Sequence, residues 1–330
     1  MTAEFGAGDG AEFLYAHTLR RKPMFPTLSD ELRHARLAWP EGVARMVLDT
    51  DTYNEVDDQF ALCHALLSPD RLRMEAIYAA PFHNNRSTGP EDGMEKSYEE
   101  ILRLLGMLGV EDGGFVFRGS REYIADAARP PRSDAVTDLV ERASASSADD
   151  PLYVVAIGAI TNVSAAILLE PSIIEKVVVV WLGGTDMHRD SAREFNLGQD
   201  LVASQTVFDS GVPLVHIPCR NVTSHLHTTI PELEAYLSGQ GRLCDYLVDI
   251  VKGYVSETNR YGWSKVIWDI ATTAYLINAE WVPSRLTPSP VLTDDFGWAV
   301  GSGRHDIRAA TFVRRDPIFR DVFTKLTAVD

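Results

Sequence analysis

The sequence predicts an α/β fold: an open, mostly parallel, Rossmann-like sheet with helices on both faces, a C-terminal helical cap and a small β tail. Three observations carry this. From Met46 onward, short apolar runs alternate regularly with amphipathic stretches. The runs are nearly continuous in apolar residues, as in strands buried on both faces. An acidic segment, Asp49 to Asp58, follows the first run, at the strand end where open α/β sheets place their ligand crevice.

In order, the predicted strands are 46–49, 74–79, 115–117, 152–157, 177–182 and 214–217, and the helices between them 57–68, 94–108, 133–145, 161–169 and 200–210. After Pro218 the rhythm changes. Residues 230–238, 243–259 and 269–277 read as helices, 286–313 as a turn-rich tail with short strands, and 316–326 as a last helix. Upstream, Ser29 to Trp39 reads as a short helix, with Ser29 or Asp30 as cap and Pro40 as stop. Gly6-Ala7-Gly8-Asp9-Gly10 has no strand before it and reads as a flexible end rather than a phosphate loop. Two regions result: an N-terminal extension over 1–44 and a single domain over 45–330.

The chain has 330 residues, 45% hydrophobic and 24% charged, ordinary for a soluble globular protein. A net charge of −16 argues against a nucleic-acid or anionic-membrane surface. Cys63, Cys219 and Cys244 lie far apart with neither zinc spacing nor a disulfide framework, which points to a reducing compartment. Residues 1–20 hold no apolar stretch of signal-peptide length, and nothing later resembles a membrane span. The expected location is the cytoplasm.

The acidic segment Asp49-Thr50-Asp51-Thr52-Tyr53-Asn54-Glu55-Val56-Asp57-Asp58 carries the chemistry. Crowded carboxylates repel and persist only when a cation or shared protons neutralise them. An all-oxygen set without adjacent Cys or His suits Ca²⁺ or Mg²⁺ better than zinc. The plainer alternative is a solvated loop in which Asp57 caps the following helix.

This segment resembles the signature of the nucleoside hydrolase family, an Asp-x-Asp followed by an Asp-Asp pair. The family usually has three intervening residues with a Pro-Gly, whereas five intervene here (Thr52 to Val56) and the Pro-Gly is missing. The likeness recurs at Ile157-Gly158-Ala159-Ile160-Thr161-Asn162, at Gly183-Gly184 with Glu194-Phe195-Asn196, after Pro218, and at Trp268-Asp269. Between the second strand and the third helix, Ala79 to Arg86 replaces the usual Gly-Asn turn and contains the candidate Asn84. Arg86 and Lys96 in that region read as solvated charges, and His225 as a surface or capping histidine.

The resemblance implies Ca²⁺ held by Asp51, Asp58, Asp269 and the Ile157 carbonyl, with Asp51 taking a proton from water that attacks an N-ribosyl substrate. It also implies Asp57, Glu194 and Asn196 on the ribose, Asp49 in support, a small-molecule ribonucleoside substrate and a homodimer or homotetramer; Asn84 and Trp268 are further candidate substrate-binding residues. In the family a histidine commonly protonates the leaving base; here Trp268 stands in its place. Indole is no general acid at neutral pH, but it stacks on flat bases, as Trp263 and Tyr261 also would. His188 and His83 are the reserve proton donors. Two rival readings stand: a non-catalytic nucleoside- or sugar-binding protein, and a haloacid-dehalogenase-type Mg²⁺ phosphatase with Asp49 as nucleophile.

Overall fold

A computed structural model describes residues 25–329 except 148 and 257–258; the Gly6–Gly10 stretch lies outside these. The elements are α1 (Asp30–Leu37), β1 (Ala44–Thr50), α2 (Asp58–Leu66), β2 (Leu72–Ala79), α3 (Pro90–Leu108), β3 (Val116–Arg118), α4 (Asp134–Ala145), β4 (Leu152–Ala156), α5 (Thr161–Leu169) and β5 (Val177–Leu182). There follow α6 (Phe195–Gln199), α7 (Leu201–Ser210), β6 (Leu214–Ile217), β7 (His227–Thr228), α8 (Ile230–Leu237), α9 (Arg242–Tyr254), β8 (Lys265–Val266) and α10 (Ile270–Ile277). The chain closes with β9 (Ser284–Pro288), β10 (Val291–Leu292), β11 (Trp298–Ala299), β12 (Asp306–Ala310) and α11 (Arg315–Leu326).

Eight strands form one sheet in the order β3-β2-β1-β4-β5-β6-β12-β9. All neighbouring pairs are parallel except β12 with β9. The short strands expected in the tail are β9 to β12: β9 and β12 extend the main sheet, and β10–β11 make a separate hairpin. Alternate strand residues face opposite ways. Met46, Leu48, Val178 and Val180 join the cluster with Phe60, Leu104, Leu247, Tyr275 and Phe319, from α2, α3, α9, α10 and α11. Val47, Val154, Val179 and Trp181 pack against Leu139, Val163, Ile167 and Phe208, from α4, α5 and α7. The interior strands β1, β4, β5 and β6 are thus covered on both faces, which is why each reads as a continuous apolar run.

The N-terminal helix docks on the sheet's far half, with Arg33 donating to the Gly211 carbonyl at 2.8 Å and His34 2.9 Å from Asp306. No helix among the described residues is long and apolar enough to cross a membrane. The order 3-2-1-4-5-6 reverses direction between β1 and β4, and the crevice of a doubly wound sheet opens at that switch point. Asp51 leaves β1 and Ile157 leaves β4 on its two sides.

Candidate active site

A cavity of about 180 Å³ lies at this switch point. Asp51, Asp57, Asp58, Ile157, Glu194, Asn196, Trp268 and Asp269 all line it. These residues span more than two hundred positions and meet because β1, β4, β5 and the start of α10 end at the same edge of the sheet.

Asp57, Asp58 and Asp269 present carboxylate oxygens within 4.8 Å of one another, and all three are buried. Asp58 accepts from the Thr50 hydroxyl at 2.6 Å. Burial and the neighbouring Asp57 push its carboxyl up to about 7. Burial, then Asp57, Asp58 and Asp51, hold Asp269 well above the usual carboxylate range. Asp57 is anchored on both oxygens, by the Lys265 ammonium at 3.1 Å and the Trp268 backbone N–H at 3.1 Å. Burial raises it as well, against the pull of Lys265.

Asp51 is fully buried, and neither of its carboxylate oxygens has a hydrogen-bond partner. Burial and the charges of Asp58 and Asp57 drive its pKa well up. Gly158 leaves room for it: a Cβ built there would sit 2.9 Å from Asp51 Cγ. Orphaned oxygens beside three crowded carboxylates form a donor set for a hard divalent cation. The Ile157 carbonyl, which takes Asn196 Nδ2 at 3.0 Å, adds a main-chain oxygen to the lining.

On the β5 side, Glu194 caps α6, accepting from Gly184 N at 2.8 Å, Asn196 N at 3.1 Å and Leu197 N at 3.3 Å. Gly184 adopts φ +69°, and a Cβ there would meet Leu197 at 2.8 Å, so the turn presenting Glu194 requires glycine. Asn196 Nδ2 also donates to the Leu182 carbonyl at 3.0 Å, fixing the amide between two strand ends.

Other expected residues fall elsewhere. Asp49 does not line the cavity; its Oδ1 accepts from Asn162 Nδ2 at 2.7 Å, and burial raises it to about 7. A carboxylate so enclosed cannot attack a phosphate, which removes the phosphatase reading. Asn84 also stands outside, its Nδ2 2.7 Å from Asn54 Oδ1, and Asn54 lines the cavity in its place. Tyr261 is fully exposed, and Trp263 packs near Tyr254 rather than on the cavity. Arg86 and Lys96 are not merely solvated: Arg86 lies over the Tyr53 ring and donates to the Glu55 carbonyl at 2.8 Å, while Lys96 donates to the Arg86 carbonyl at 2.8 Å. His225 packs on Phe312. His188 and His83 do not reach the cavity, and among the described residues no histidine lines it.

Asn54, Glu55, Cys219, Arg220 and the supporting Lys265 are site residues not foreseen from the sequence. Lys265 is buried between Glu55 and Asp57, and their charges outweigh burial to hold its ammonium above the usual lysine range. Glu55 had a signal in belonging to the acidic segment; a lone lysine has none.

The sequence profile described as inosine-uridine preferring nucleoside hydrolase matches residues 46–317. The chain is 26% identical over 232 residues to the probable uridine nucleosidase 2 of Arabidopsis thaliana, covering 64% of this chain and 69% of that protein. It is 24% identical over 261 residues to the pyrimidine-specific ribonucleoside hydrolase RihA of Salmonella paratyphi A, covering 71% and 80%. The solved purine-preferring ribonucleoside hydrolase from Gardnerella vaginalis shares the fold, with TM-score 0.70 at 18% identity over 86% of this chain and 98% of that one.

Proposed function

The chain belongs to the inosine-uridine preferring nucleoside hydrolase family, and from that premise we propose that it cleaves the N-glycosidic bond of ribosyl compounds with the help of bound calcium. It is an N-glycosyl hydrolase; the ion, the residue roles and the choice of ribonucleosides are the proposed part. The observation that carries the reading is Asp51, buried without a hydrogen-bond partner beside three clustered carboxylates.

Asp51, Asp58, Asp269 and the Ile157 carbonyl would hold the cation, with Asp57 beside them. A hard divalent ion bound there would supply charge neutralisation for the carboxylates and lower the pKa of water beside them. Asp51 takes the proton from the attacking water at a free Oδ. As the bond from the anomeric carbon to the base nitrogen breaks, its electron pair leaves with the base, and the surrounding carboxylates favour the positive charge growing on the sugar. Asp57, Glu194 and Asn196 orient the ribose hydroxyls. Trp268 offers an indole face to the base.

The three buried, free cysteines support a cytoplasmic location, and a homodimer or homotetramer is the proposed assembly. The reading is tested by incubating a ribonucleoside panel with the protein and calcium and following free base and ribose chromatographically. Ribonucleosides should be cleaved far better than 2′-deoxynucleosides, by about 10⁴ in favourable cases. Binding without release of base would instead support a non-catalytic role.

A further inference from the structure

Resting on the ribosyl-hydrolase reading, we propose that a phosphate subsite adjoins the ribose pocket and that the substrate carries a phosphate monoester on its ribose 5′ carbon. A second cavity, of about 420 Å³, is lined by the cationic side chains of Arg189, Arg193 and Arg220 together with His188, against Asp190 as its carboxylate. It shares Arg220 with the carboxylate cavity. Arg220 is the one cation lining that first cavity among the described residues, and it makes no ion pair or hydrogen bond with a described side chain.

The backbone sets Arg220 there. A bridge between Thr185 and Arg220 ties the loop after β5 to the turn after β6. The next residue, Asn221, is held at φ 74°, a left-handed conformation uncommon outside glycine, and its Oδ1 takes Arg189 at 3.4 Å. Arg193 is steadied over the Phe296 ring at 4.8 Å.

Sheet order gives the direction. Asp51 follows β1, Ile157 follows β4, Glu194 follows β5 and Arg220 follows β6. Three strand spacings separate the first from the last, about 14 Å across the crevice. In the proposed pose the anomeric carbon lies at Asp51, the ring crosses Asn196 and the 5′ substituent reaches toward Arg220. A net charge of −16 disfavours a phosphate dianion on average over the chain. A local knot of arginines, which bind phosphate through charge-assisted hydrogen bonds, is what would admit it.

The test compares kcat/KM for a ribonucleoside and its 5′-monophosphate in the wild-type protein, Arg220→Ala and the pair Arg189→Ala/Arg193→Ala, with ribose 5-phosphate binding measured calorimetrically alongside. The wild type should favour the monophosphate, and Arg220→Ala should lower the monophosphate-to-nucleoside ratio about tenfold or more. A wild type that favours the free nucleoside, or a ratio indifferent to both variants, overturns the subsite. If neither compound is cleaved yet ribose 5-phosphate binds with a Kd that Arg220→Ala weakens, the subsite stands and the hydrolase reading fails. Absence of both cleavage and binding overturns it.

Discussion

Gly158 and Asp51 approach so closely that a single methyl group on Gly158 would fall 2.9 Å from the Asp51 carboxyl carbon. The glycine after β4 thus determines where the carboxylate after β1 can rest, across the switch point of the sheet.

Gly158→Ala should accordingly displace Asp51 without unfolding the chain. Displacements of about 1 Å in a catalytic group cost on the order of 10²-fold in rate. Circular dichroism should stay native while kcat falls by that order. Unchanged kcat would show that the Asp51 position is not critical.

The raised carboxyls make stability depend on pH. Asp49 and Asp58 sit at about 7 through burial, and Asp51 and Asp269 are raised in the same direction. Between the unfolded value of about 4 and these folded values, the folded chain binds more protons than the unfolded chain, so stability falls as pH rises through that window. Calcium requires the deprotonated form and opposes the trend. With chelator, Tm should fall from about pH 5 to about pH 8; with saturating calcium that fall should shrink or reverse. Identical Tm profiles in both conditions would contradict a cation site here.

Lys265 offsets one of the clustered charges, lying 3.1 Å from Asp57 Oδ1 with only 5% of its side chain exposed. Lys265→Met leaves Asp57 buried without its cation, a change that typically costs about 3–5 kcal/mol. A Tm lower by about 5 °C or more is expected. A shift within error would mean that the lysine is dispensable for folding.

Trp268 lines the cavity, whereas no described histidine does, so the departing base has no evident proton donor. An activated substrate such as p-nitrophenyl riboside should turn over well relative to ordinary nucleosides. Trp268→Ala should weaken nucleoside turnover by about 1–3 kcal/mol if the base stacks on it. Trp268→His should raise turnover, since a positioned acid contributes about 10²–10⁴-fold. Equal rates on both substrates, indifferent to Trp268, would point to another acid.

Much of this was legible because interior parallel strands advertise themselves. The predicted limits of β5 and β6 coincide with the observed Val177–Leu182 and Leu214–Ile217, since both faces of each are buried. The one-turn α6 was missed: Phe195–Gln199 is too short for helical periodicity to register. The tail shows only short strands in the sequence, not their place in the sheet, because β9 carries exposed Arg285 and Leu286 and its pairing with β12 depends on contacts distant in sequence. In the site, the carboxylates were visible as a motif, and Ile157, Glu194, Asn196, Trp268 and Asp269 through ordered family segments. Lys265, Asn54 and Arg220 were not, because their roles arise only when the strand ends meet. Asn84 reads as a substrate residue in the sequence, yet it bonds Asn54 of the lengthened acidic loop, and Asn54 rather than Asn84 lines the cavity.

The most direct measurement is release of base from a ribonucleoside by the wild type and Asp51→Asn, before and after exhaustive chelation and on adding calcium back. Chelation should abolish wild-type activity, calcium should restore it, and Asp51→Asn should stay inactive throughout while remaining folded. Full wild-type activity after chelation, or an Asp51→Asn protein that still releases base at the wild-type rate, would contradict a cation- and Asp51-driven hydrolysis.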